Sequence, residues 1–147
     1  GKQMTELIQQ LRKVLATNFT LYLKTHMFHW NVEGQDFSEY HGFWGDIYDD
    51  LWNQTDTLAE FIRQAGEYAP GSLTVYSQIS DVTDEEGFPS AMEMFRKFQM
   101  DNQTMINLYD QLYHVAESNH EHQISNYAAD RLAAHKKHAW MVRSFLK

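Results

Sequence analysis

The chain has 147 residues, a formal net charge of −8 and 43% apolar residues, enough to bury the core of one domain spanning residues 1–147. It contains no cysteine, which excludes disulfide bonds and thiolate metal sites and leaves histidine and carboxylate as metal ligands. The acidic balance disfavours non-specific DNA binding, which needs lysine and arginine against phosphate, and favours cations as partners.

Long helices are predicted because the chain has only two prolines and seven glycines. Asp36 with Glu39, and Ser118 with Glu121, are typical of capping boxes that open helices, and Gly66 is a typical helix stop. With the spacing of apolar residues, these signals predict helices over residues 5–31, 36–66, 72–79, 90–117 and 121–146. Two helix pairs flanking one long crossover, which contains the short helix, predict an all-α, ferritin-like four-helix bundle.

Four residues between positions 29 and 60 carry the predicted ligand chemistry: His29, His41, Asp56 and Glu60. If residues 41–60 form one helix, its rise separates His41 from Asp56 by roughly 22 Å, so one metal ion cannot contact both. An antiparallel copy of this helix across a two-fold axis would place His41 opposite Asp56 of the partner subunit and create the site twice. The spacing therefore predicts a dimer.

The second predicted helix has two faces. One carries the apolar stripe of its own bundle, and the other carries His41, Gly45, Trp52, Asp56 and Glu60. In the antiparallel pairing, Gly45 lies against Trp52 of the partner subunit. We hypothesise that the indole fills the space that the glycine leaves open.

Mixed imidazole and carboxylate ligands favour iron(II) or a similar metal, whereas an all-oxygen site would suit calcium or magnesium. Each part of the pattern is weak alone. A helical Asp-x-x-x-Glu is commonly a solvated surface pair, and a single histidine more often packs or caps than binds metal. Their joint occurrence favours a metal site with open positions for an oxidant.

Residues 24–66, KTHMFHWNVEGQDFSEYHGFWGDIYDDLWNQTDTLAEFIRQAG, and 135–146, HKKHAWMVRSFL, resemble the DNA-protection-during-starvation (Dps) family of mini-ferritins. The resemblance spans almost the whole chain in helix order. It implies a dodecameric hollow shell that oxidises iron(II), preferably with hydrogen peroxide, otherwise with dioxygen, and stores ferric mineral as protection from oxidative stress. It implies that His29 and His41 of one subunit join Asp56 and Glu60 of its two-fold mate as the metal-binding, catalytic set.

One position departs from the family pattern, which usually has an acidic residue sixteen positions after the first histidine. Here that residue is Gly45. Neither Asp46 nor Asp49 projects in the same direction from the helix. We expect a tight iron position at Asp56 and Glu60 and a second metal held weakly or by water. Two readings stay open: a ferroxidase and iron store, or a Dps-like metal-binding cage with a weakened or inactive centre.

The remaining histidines have simpler expected roles. His26 is predicted to be a partly buried packing residue near the site. The others are expected in caps or on solvated faces: His114, His120, His122, His135 and His138. Trp30 matches a family tryptophan that can absorb a one-electron oxidising equivalent, with interface packing as the alternative.

Neither DNA nor a membrane is a predicted partner. Members of the resembled family that bind DNA through tails use lysine-rich ends, whereas the ends here carry only Lys2 and Lys147, so no binding is expected at physiological salt. No apolar run approaches the roughly 20 residues of a membrane span. The opening GKQMTELIQQ lacks the apolar core of a signal peptide, so a cytoplasmic location is expected.

Overall fold

The protein is a helical bundle. The computed structural model describes residues 1–147, apart from the side chain of Gln3. Its helices are α1 (Lys2–Asn31), α2 (Phe37–Trp52), α3 (Thr55–Gln64), α4 (Leu73–Ile79), α5 (Ala91–Ser118) and α6 (His122–Phe145). No strand occurs among the described residues. The bundle consists of α1, the α2–α3 pair, α5 and α6, with α4 in the crossover, so the predicted architecture is confirmed.

The core contains apolar side chains from all four long segments of the bundle. Trp44 is fully buried, and its ring centroid lies 5.2 Å from those of Phe28 on α1 and Phe95 on α5. Burying side chains of this size supplies much of the stability of a helical domain. None of the described helices combines the length and apolar character that a membrane span requires.

The crossover is tied to the bundle by buried charge. Lys24 of α1 is only 8% exposed, and its Nζ donates to Asp101 Oδ2 of α5 and to the Thr83 carbonyl, each at 2.7 Å. Ser72 caps α4 by accepting a hydrogen bond from the Val75 amide at 3.3 Å. The predicted short helix therefore forms, and the segment that follows it is fixed against α1 and α5.

Two predicted capping boxes are wrong. Asp36 makes no side-chain hydrogen bond to the first amides of α2. Ser118 belongs to the end of α5, where its hydroxyl donates to the His114 carbonyl at 3.0 Å. A reciprocal capping box instead opens α5, between Ser90 and Glu93. The same residue types cap a helix or extend one depending on the backbone conformation at that residue.

The second predicted helix is also not continuous, because a turn at Asn53 and Gln54 divides it into α2 and α3. The Gln54 amide donates to the Leu51 carbonyl, three residues back, at 3.1 Å. The apolar pattern nevertheless continues, since Leu58 and Ile62 of α3 are fully buried. The break lies between the histidines and the carboxylates of the predicted site.

Candidate metal centre

His29 and His41 lie together at the junction of α1 and α2. His29 is in the last turn of α1, and a short loop of residues 32–36 leads to α2, where His41 lies near the N-terminus. Gly34 has φ 121° in this loop, a conformation that favours glycine. The two imidazole rings stack with centroids 3.7 Å apart and planes 18° from parallel.

Each ring is oriented by the backbone of the other residue. His29 Nδ1 donates to the His41 carbonyl and His41 Nδ1 donates to the His29 carbonyl, both at 2.7 Å. A proton on Nδ1 leaves the Nε2 lone pair free to bind a metal. Metal-ligating histidines commonly donate their other ring N–H to a backbone carbonyl in this way. A ring nitrogen binds metal in its ring plane, so two nearly parallel rings suit two ions. Two-metal sites hold their ions about 3.5–4 Å apart.

Gly45 lies directly beside this pair. A Cβ at this position would be 3.3 Å from His29 Cε1 and 3.4 Å from His29 Nδ1. The glycine therefore lets the His29 ring approach the α2 backbone. An acidic residue here would place its carboxylate next to the imidazoles, so the departure noted in the sequence falls within the candidate centre.

Asp56 and Glu60 lie one turn apart on α3, and both are exposed. They do not join the histidines within one chain. Among the described residues, no three His, Asp or Glu side chains are close enough together to hold a metal ion. One chain therefore brings together two of the four predicted ligands and leaves the other two at its surface.

Aromatic side chains surround the histidine pair. His26 stacks on Tyr48 at 3.7 Å, and the Tyr22 hydroxyl lies 3.0 Å from His26 Nδ1. Burial, and then the neighbouring His29, lower the pKa of His26, which favours the neutral ring, and His26 is a partly buried packing residue as expected. Trp30, whose ring centroid is 4.3 Å from that of His26, is 58% exposed. These rings border the pair with apolar surface.

The prediction that His135 and His138 lie on a solvated face is wrong. His135 is fully buried, with Nδ1 2.7 Å from Asn102 Oδ1 and Nε2 3.2 Å from an Arg131 nitrogen. His138 Nε2 lies 3.1 Å from Asp50 Oδ2, and Arg131 binds the same carboxylate through two nitrogens at 2.9 and 2.6 Å. Helical spacing places the three α6 residues on one face, but their Asp50 and Asn102 partners are distant in sequence.

The charges of this network are fixed by its own contacts. Burial alone would raise the pKa of Asp50, but hydrogen bonds from His138 and Arg131 outweigh it and hold that pKa well below its usual range. Burial, and then the charge of Arg131, lower the pKa of His135 well below its usual value. Because the carboxylate is already occupied by Arg131, the network is an internal ion pair. His114 and His122 are exposed, as expected.

The four-helix architecture, the short helix in its crossover and the histidine pair define a ferritin-like protein. Residues 8–147 match the family model of the ferritin-like domain. A low-temperature-induced protein of Nostoc sp. is 32% identical, over 99% of this chain and 83% of its own length. The DNA protection during starvation protein of Helicobacter pylori is 30% identical, over 92% of this chain and 95% of its own.

Solved structures agree with the sequence relatives. The crystal structure of a Dps protein from Bacillus brevis superposes with a TM-score of 0.96 at 25% identity, covering 100% of this chain and 99% of that one. The chain belongs to the Dps family of ferritin-like proteins.

Proposed function

We propose that this protein oxidises iron(II), its substrate, at two equivalent sites across a two-fold interface and stores the ferric product in a hollow dodecameric shell. Hydrogen peroxide is the preferred oxidant, and the activity protects against oxidative stress. The observation that carries this proposal is the stacked pair of His29 and His41, each with Nδ1 bonded to a carbonyl and Nε2 left for metal. Membership of the Dps family supports iron as the metal.

The remaining ligands come from a second copy in this proposal. Asp56 and Glu60 are exposed and sit one turn apart, so both carboxylates can reach ions held against the partner subunit. Two imidazoles and two carboxylates suit iron(II), and the carboxylate charge stabilises the ferric product. The single domain, the cytoplasmic location and the lack of DNA binding stay predictions from the sequence.

A second reading rests on Gly45. This residue lies against His29 where a carboxylate would otherwise enter the centre, so the second ion has an imidazole but no carboxylate from the same subunit. If that ion is lost too readily, oxidation becomes too slow to matter and the assembly is a metal-binding cage. The same experiment separates the two readings.

The test is anaerobic loading of the assembled protein with iron(II), followed by hydrogen peroxide, with ferric absorbance recorded over time. The site variant is Asp56→Asn with Glu60→Gln. The control variant is Glu6→Gln with Asp110→Asn, which removes the same charge from exposed positions on α1 and α5.

Rapid oxidation with the iron kept in solution is expected for the wild type and the control, and loss of both is expected for the site variant. Equal, slow oxidation in all three proteins would refute the ferroxidase and favour the cage. Rapid oxidation in the site variant would refute the assignment of Asp56 and Glu60.

A further inference from the structure

The break between α2 and α3 is built from side-chain hydrogen bonds. The backbone N–H of Gln54 donates to the Leu51 carbonyl instead of to the Asp50 carbonyl, its usual partner in an α-helix. The Asp50 carbonyl accepts instead from the side-chain Nε2 of Gln54 at 2.9 Å. The Leu51 carbonyl also accepts from Asn18 Nδ2 of α1 at 2.9 Å. Asn18 is fully buried, so this bond is shielded from water. The Asp50 and Leu51 carbonyls at the interruption thus both accept hydrogen bonds from side chains.

The side-chain oxygen of Gln54 is bonded to a residue of α6. The Tyr127 hydroxyl donates to Gln54 Oε1 at 2.8 Å. Burial raises the pKa of Tyr127, so the phenol keeps its proton and remains a donor. The Tyr109 hydroxyl lies 3.5 Å from the Tyr127 hydroxyl and makes no bond to Gln54. Gln54 is therefore bonded at both ends, to α2 and to α6, which restricts its rotamer.

Asp50 provides a second tie at the same point. Its carboxylate binds Arg131 of α6 through two hydrogen bonds, so the end of α2 is fixed to α6 immediately before the break. The direction in which α3 leaves α2 is consequently set by α1 and α6 rather than by an uninterrupted helical hydrogen-bond ladder.

The break precedes the carboxylate half of the proposed site. Asp56 is the second residue of α3, and Glu60 lies six residues after Gln54, about 9 Å along the helix. A change of about 10° in the direction of α3 would move Glu60 by about 1.5 Å. Metal–ligand distances tolerate only about 0.2 Å. A small change in the direction of α3 at Gln54 would therefore move the carboxylates out of reach of ions held by the histidines of the partner subunit.

We propose that Tyr127 and Gln54 are positioning residues that set the direction of α3 and thereby aim Asp56 and Glu60 at the metal centre. This inference rests on the proposed function. The buried polar network of the bundle then has a second role beyond stability, since it links α6 to the carboxylates of the proposed site.

The test uses Co²⁺ as a redox-inert probe for iron(II) on the assembled protein. Tyr127→Phe removes the donor to Gln54 but keeps the ring, which packs against Phe61 with centroids 5.3 Å apart. Tyr109→Phe is the matched control, because it removes the neighbouring buried hydroxyl without touching Gln54. Affinity and visible absorption bands are measured by titration, and thermal unfolding is recorded for both variants.

Tyr127→Phe is expected to bind Co²⁺ at least tenfold more weakly and with shifted bands, while Tyr109→Phe binds as the wild type does. Wild-type binding by Tyr127→Phe, or equal weakening in both variants, would overturn the inference. If Tyr127→Phe fails to assemble, Gln54→Met is judged by the same criteria, since it keeps the chain length and removes the amide.

The proposed function is separated from the inference by one further variant, Asp56→Asn. If the wild type binds Co²⁺ tightly and Asp56→Asn does not, the result supports the proposed metal site. Unchanged binding by Tyr127→Phe would then refute the positioning role alone. A wild type without Asp56-dependent binding would refute both.

Discussion

Gly45→Asp places a carboxylate beside the imidazole pair. The new Cβ would lie 3.3 Å from His29 Cε1, whereas ordinary carbon contacts are about 3.5–4.0 Å. The His29 ring must therefore move by about 0.3 Å. Its 2.7 Å hydrogen bond to the His41 carbonyl can lengthen by that amount and stay within the normal range. The substitution should be accommodated.

The effect of Gly45→Asp on stability should be small. Gly45 lies within α2, where glycine costs about 1 kcal/mol relative to alanine and aspartate costs only somewhat less than glycine. The gain in helix propensity and the cost of moving the ring are both under about 1 kcal/mol. We therefore expect the melting temperature to change by only a few degrees and the oligomeric state to be unchanged.

The effect on metal binding should be larger. A carboxylate about 4 Å from a divalent ion, at an effective dielectric constant of about 20, interacts by about 4 kcal/mol for each unit charge. Desolvation of the carboxylate and the ion offsets most of this energy. A net gain of about 1.4–2.8 kcal/mol corresponds to a tenfold to hundredfold tighter second position.

Anaerobic calorimetric titration with iron(II) measures this change. The wild type should bind one tight and one weaker ion per site, and Gly45→Asp should bind two tight ions. Gly45→Asn is the control, because it adds a side chain of the same shape without charge and should resemble the wild type. Two equally tight ions in the wild type, or equal binding by the Asn and Asp variants, would refute the reasoning.

Three further predictions concern the core and the interface. Below about pH 6.5 the unfolded chain binds a proton at residue 135 that the folded protein, with its lowered His135 pKa, does not. The free energy of unfolding should therefore fall by about 1.4 kcal/mol for each unit by which the pH is lowered. Urea unfolding measures this, and an equally steep fall in the His135→Gln variant would contradict the prediction. Asp50→Asn leaves Arg131 buried without its counter-charge and should cost about 3 kcal/mol in the same assay; a loss under about 1 kcal/mol would be inconsistent. Trp52→Ala should weaken the two-fold dimer in sedimentation velocity, and an unchanged dimer would rule out its packing against Gly45 of the partner subunit.

Local patterns in the sequence determined most of the helical architecture. Apolar residues at helical spacing, with few glycines and prolines, define the long helices, and α1 ends at Asn31 as predicted. Residue type and the resemblance to the Dps family pointed to His29 and His41 as ligands, and the fold does bring the two rings together. These features depend on backbone preferences and side-chain chemistry within short stretches, so sequence alone carries them. The pairing of Asp56 and Glu60 with those histidines stays a prediction, because it involves a second chain.

The tertiary structure decided which polar residues are buried and where the second helix breaks. His135 and His138 look like solvent-facing residues in sequence, because lysines lie next to both and their partners are distant in the chain. Asn102 lies 33 residues from His135, and Asp50 lies 88 residues from His138. Gln54, at the break, likewise has a distant partner, since its side chain accepts a hydrogen bond from Tyr127, 73 residues further along the chain. A buried polar group is stable only when a partner satisfies it. That partner is brought into place by the packing of distant helices, which helical periodicity does not encode.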